Sequence, residues 1–65
     1  MMNFRQLKYF IAVAKTGQFT KAANLIHVSQ PALGLQVKNL EDELGVLLFD
    51  RNSRGVELTS TGKLF

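Results

Sequence analysis

Phe4, Leu7, Ile11 and Ala14 recur at helical spacing, and Phe10 widens the stripe, so the pattern predicts a first helix from about Asn3 to Lys15. Asn3 is a good N-cap and Gly17 a natural stop. A second apolar face follows: Phe19, Ala22, Ala23 and Ile26 fall at i, i+3, i+4 and i+7, with Leu25 beside them. This predicts a helix beginning near Gln18 or Thr20 and ending near His27, a turn residue. The small pair Ala22-Ala23 suits a close helix crossing, because methyl side chains let two backbones approach. Ser29 is a candidate N-cap, and Pro31 falls in the first turn, where a missing N–H costs little. Leu33, Val37, Leu40 and Leu44 then form one continuous face, and Gly45 sits just past the end. The third helix is expected at about 30–44.

After Gly45 the period changes. Val46-Leu47-Leu48-Phe49 is a short apolar run, and Val56-Glu57-Leu58-Thr59 alternates. The polar segment Asp50-Arg51-Asn52-Ser53-Arg54-Gly55 between them has turn chemistry. Two strands flanking a charged loop are expected, with Leu47, Phe49 and Leu58 turned inward, since a lone hairpin is marginal in water. Thr59 to Phe65 reads as a cap and the start of another helix, whose Leu64 and Phe65 have little to bury against, as in a piece of a longer protein. The fold class is therefore mainly α: a winged helix-turn-helix made of a three-helix bundle plus a two-stranded β-hairpin wing.

Composition narrows the chemistry. The 65 residues are 46% apolar, too many for disorder, and contain no Cys and one His. Thiolate and His-only metal sites are excluded. No apolar run approaches the roughly 18 residues of a membrane span. No nucleophile has a base and no carboxylate pair sits alone on an apolar surface, so no catalytic residue, metal or cofactor is expected. The formal charge of +3 is unevenly spread. Residues 1–40 hold Arg5, Lys8, Lys15, Lys21 and Lys38 and no acid; Glu41, Asp42, Glu43, Asp50 and Glu57 all come later. A basic front argues for an anionic partner.

The third helix would expose Gln30, Pro31, Gly34 and Leu35, with Lys38 one turn on. A helix of this width fits the DNA major groove, where Gln pairs with adenine and apolar side chains meet a thymine methyl. Gly34 permits close backbone approach, and Lys38 suits a phosphate. Arg51 and Arg54 on the loop suit phosphates or a minor groove. Lys21, Thr20 and Ser29 could hold the backbone on the other side. A winged-helix module that meets a protein with the same face is the alternative, disfavoured by the uncompensated bases.

The order of these residues resembles the N-terminal DNA-binding domain of LysR-type transcriptional regulators. The resemblance is carried by Phe4-Arg5-Gln6-Leu7-Lys8-Tyr9-Phe10, Ala22-Ala23, Val28-Ser29-Gln30-Pro31-Ala32-Leu33, Gln36-Val37, Leu40-Glu41, Leu44-Gly45, Leu48-Phe49, Arg51, Arg54-Gly55, Leu58-Thr59 and Gly62. It implies that Ser29, Gln30, Pro31, Gly34 and Leu35 open a recognition helix, and that Arg54 and Arg51 approach the backbone or minor groove. It also implies a domain over 1–59 and, at 60–65, the start of a linker helix capped by Thr59 that pairs two subunits. The partners implied are double-stranded DNA and, for the full-length protein, a homodimer or dimer of dimers, with residues 1–65 alone expected to be monomeric. A separate effector-binding domain would follow in the whole protein, placed in the bacterial cytoplasm at the nucleoid. Two positions depart from the family: Ser is common where Gly34 stands, and a polar or basic residue where Leu35 stands.

Overall fold

The computed structural model describes residues 3–52 and 55–64. Three helices come first: α1 (Phe4–Thr16), α2 (Phe19–Leu25) and α3 (Gln30–Leu44). Strands β1 (Phe49–Asn52) and β2 (Gly55–Leu58) form an antiparallel pair, and a 3₁₀ turn spans Gly62–Leu64. The arrangement is a winged helix-turn-helix. Among the described residues no helix is long and apolar enough to cross a membrane.

Each helix boundary has a local cause. Asn3 Oδ1 accepts from the Gln6 N–H at 2.8 Å while the Asn3 N–H donates to Gln6 Oε1 at 3.1 Å, a reciprocal capping box at the start of α1. Gly17 (φ 72) closes that helix in the left-handed region. α2 ends in a Schellman-type turn, with Val28 N–H donating to Ala23 O at 3.0 Å and His27 in the left-handed position at φ 58. Ser29 Oγ accepts from Ala32 N–H at 3.2 Å and starts α3, as expected from the sequence.

The core is formed by Phe10, Ala12, Val13, Ala22, Ala23, Leu33, Val37, Leu40, Leu48 and Phe49. On α1 the expected inward face is corrected. Phe4 is 83% exposed, Ile11 46%, and Ala14 is exposed. Phe10 is buried as expected, and Gln6, Ala12 and Val13 turn inward beside it. The true face is displaced by one residue, about 100° of helix rotation. Gln6 looks polar in a hydropathy pattern, but its carbonyl is committed to the cap, so its stem is buried at little cost.

The wing is also corrected. Val46–Leu48 is not strand. Instead Leu47 is 68% exposed and Leu48 fully buried. Pairing begins at Phe49↔Leu58 and runs through Asp50↔Glu57 and Arg51↔Val56 to Asn52↔Gly55. Arg51 therefore lies within β1 rather than in a loop. Ser53 and Arg54, where the hairpin tip was expected, lie outside the described residues. A polar ribbon reaching into solvent carries no apolar alternation, which is why its pattern did not read as strand.

Two devices fix the wing to the helices. Glu41, on the last turn of α3, is buried, and its Oε2 accepts from Leu48 N–H at 2.8 Å and Phe49 N–H at 3.3 Å. On the other side Val56 N–H donates to Gly17 O at 2.8 Å. A Cβ at Gly55 (φ 131) would come within 2.6 Å of that same oxygen, so the approach requires glycine. Phe49 seats the ribbon, with its ring 5.3 Å from that of Phe10 and 6.3 Å from that of Phe19.

Glu41→Ala should strand two buried N–H groups and cost about 2–3 kcal/mol, while Glu41→Gln, which keeps a carbonyl acceptor, should cost about half as much. Urea unfolding midpoints of the two variants check this.

Candidate nucleic-acid interface

α3 separates its two faces sharply. Leu33, Val37 and Leu40 are fully buried, while Gln30, Pro31, Leu35 and Lys38 are exposed and Gly34 is half-buried. The N-cap and Pro31 set the helix start, so the outward residues of the first turn hold a fixed position over the core.

The start of α2 lies beside this turn. Thr20 Oγ1 donates to Gln30 Oε1 at 3.0 Å, across ten residues of sequence. The neighbouring Phe19 presents its ring to Arg51, whose guanidinium carbon lies 4.4 Å from the ring centroid. An open cleft of about 310 Å³ is lined by Phe19, Gln30, Pro31, Gly34 and Arg51. A Cβ built on Gly34 meets nothing within 4 Å.

Several expected site residues are thus brought together: Thr20 with Gln30, and Gln30, Pro31 and Gly34 with Arg51. Ser29 caps α3 at the rim, Lys21 is exposed on α2, and Leu35 stands in solvent at 56% exposure. Lys38 is exposed but paired: Nζ lies 3.1 Å from Asp42 Oδ2, one turn further along α3. Such a surface pair contributes only about 0.3–0.5 kcal/mol, so it yields readily to a phosphate. Arg54 lies outside the described residues.

A second open hollow, of about 720 Å³, is lined among others by Lys38, Glu41, Asp42, Asp50 and Arg51. Its carboxylates outnumber its cations, which makes it unsuited to a polyanion. Arg51 borders both hollows.

The sequence pattern marks Phe19 as core and Thr20 as a backbone contact. Neither the Phe19–Arg51 stacking nor the Thr20–Gln30 bond has a sequence signal, since both join residues on different elements. The Lys38–Asp42 pair was readable from its i, i+4 spacing.

An exposed first turn on a helix held from behind, a neighbouring short helix and an arginine-bearing ribbon define the class of winged helix-turn-helix domains. Comparison with known proteins narrows this. The model of the bacterial regulatory helix-turn-helix protein, lysR family, matches residues 4–63, and the chain belongs to that family. It is 55% identical over 64 residues to the HTH-type transcriptional regulator TfdT of Cupriavidus pinatubonensis (strain JMP 134 / LMG 1197), covering 98% of this chain and 28% of TfdT. It is equally identical to the HTH-type transcriptional regulator ClcR of Pseudomonas putida, of which it spans 22%. The chain is thus about a quarter of the length of these relatives. Among solved structures, the CbnR_DBD–DNA complex superposes with a TM-score of 0.94 at 55% identity, covering 98% of this chain and 74% of that one. The BenM_DBD/catB site 1 DNA complex gives 0.95 at 47% identity, covering 98% and 72%.

Phe19→Leu and Arg51→Ala, with their double mutant, should show a coupling of about 0.5–1 kcal/mol in urea unfolding, the size of a part-exposed cation–π contact. Simple additivity would mean that the stacking contributes nothing to wing position.

Proposed function

We propose that the chain is the sequence-specific, double-stranded-DNA-reading module of a LysR-type transcription regulator. The first turn of α3 enters the major groove, and the wing over 50–55 lies on the backbone or in the minor groove. The observation that carries this is the exposed turn Gln30-Pro31 with Gly34 behind it, opening on a cleft that Arg51 borders, while Leu33, Val37 and Leu40 anchor the same helix from within. The DNA complexes of CbnR_DBD and BenM_DBD, which share this fold at about half identity, support it.

In this reading Gln30 meets a base edge, and Pro31 and Leu35 offer apolar contact to a thymine methyl. Gly34 lets the backbone approach. Ser29, Lys21 and Lys38 face phosphates, the Thr20 hydroxyl meets Gln30 rather than a phosphate, and Arg51 and Arg54 serve the wing. The assignment is to binding rather than catalysis. Residues 1–59 form the reading domain, and 60–65 open a linker helix; Thr59 Oγ1, which accepts from Gly62 N–H at 2.9 Å, caps its first turn. Through that helix the whole regulator pairs as a homodimer or a dimer of dimers, in the bacterial cytoplasm at the nucleoid.

Binding should weaken with salt at a log–log slope near −4 per chain, from about four or five phosphate contacts at −0.9 each. Lys38→Ala should weaken all duplexes alike. Gln30→Ala should instead narrow the gap between selected and random DNA by roughly 1–3 kcal/mol. Fluorescence anisotropy on sequences selected from a random duplex pool measures both, and an affinity indifferent to salt would remove DNA as the partner.

A further inference from the structure

The amide of Gln30 has two chemically opposite ends: Oε1 only accepts hydrogen bonds and Nε2 only donates them. On an exposed helical turn such a side chain ordinarily samples many rotamers and presents either end. Here one of the two lone pairs of the oxygen is engaged. Thr20 Oγ1 donates to Gln30 Oε1 at 3.0 Å, from the second residue of α2 to the first residue of α3. Both helix starts are themselves held by the core through Ala22, Ala23 and Leu33, so the tether joins two fixed points.

We propose that Thr20 is a specificity-determining residue that acts through Gln30. Its hydroxyl holds the amide oxygen, and the amide is presented to the duplex with Nε2 leading, as a donor to an acceptor on a base edge. This inference rests on the DNA-reading function proposed above. In the major groove, guanine offers N7 and O6, adenine N7 and thymine O4 as acceptors, whereas the edge of cytosine offers only the N4 donor. A donor-first Gln30 therefore disfavours cytosine at the position it faces. The role differs from a phosphate contact by Thr20, which would carry no sequence information. It is also separable from a role in folding. Thr20 is exposed, so valine, which has the same shape without the hydroxyl, leaves the core untouched.

The test uses the full chain and a random duplex pool. Wild type, Thr20→Val, Thr20→Ser, Gln30→Ala and Thr20→Val/Gln30→Ala are compared by selection and anisotropy. Thr20→Val should lower discrimination against cytosine about threefold to tenfold, the worth of one net hydrogen bond, at the single position that Gln30→Ala also relaxes. Affinity for random duplex and the salt slope should stay at wild-type values. Thr20→Ser should restore discrimination, and the double mutant should match Gln30→Ala. Without DNA, ¹⁵N relaxation of the Gln30 side-chain amide should report an ordered group in wild type and a mobile one in Thr20→Val. Equal losses on selected and random duplex, additive effects in the double mutant, or an amide equally ordered in both proteins would overturn the inference and leave the DNA-reading function standing. A wild-type chain that selects no sequence at all would overturn both.

Discussion

Glu41 is the residue around which the link between recognition helix and wing is wound. Its backbone carbonyl accepts the N–H groups of Gly45 at 2.8 Å and Val46 at 3.2 Å, closing α3. Its side chain then accepts those of Leu48 and Phe49, opening the ribbon. One residue thus satisfies four of the five N–H groups from 45 to 49. A buried carboxylate with two donors fixed on it is a strong directional constraint, and the same group unpaired would be costly. The acidic end of α3, unfavourable for the helix dipole, has its reason here: Glu41 serves the wing, and Asp42 answers Lys38.

From this constraint the geometry of the reading surface follows. With Phe49 seated against Phe10 and Phe19, β1 carries Arg51 back toward α2, and the guanidinium rests over the Phe19 ring beside the start of α3. Arg51 and the first turn of α3 are therefore neighbours on one surface. Phe19 and Thr20, adjacent at the head of α2, hold Arg51 and Gln30 respectively.

Helix ends were legible in the sequence because they are set by nearest neighbours. Asn3, Gly17, Ser29, Pro31 and Gly45 each act within a turn of themselves, and α3 lies at 30–44 as read. The inward face of α1 was not legible, because hydropathy scores Gln6 as polar while its cap partner lets it be buried. The β1 register was hidden for the opposite reason: Leu48 is apolar yet serves as a buried link, and Asp50-Arg51-Asn52 is polar yet paired. The outward residues of α3 could be named from spacing alone, since helical period settles which side faces out. What holds them in place could not, because Thr20 reaches Gln30 and Phe19 reaches Arg51 across separate elements.

Gly34 occupies the middle of the interface with empty space where a side chain would stand. Nearly every other small residue in the chain's close crossings is committed: Ala22 and Ala23 are sealed in the core, and Gly62 abuts the Leu48 carbonyl. Position 34 is exempt from that crowding. A side chain introduced there would meet no neighbouring atom, so under the proposed DNA-reading function it would alter what α3 offers a duplex without disturbing the packing beneath it.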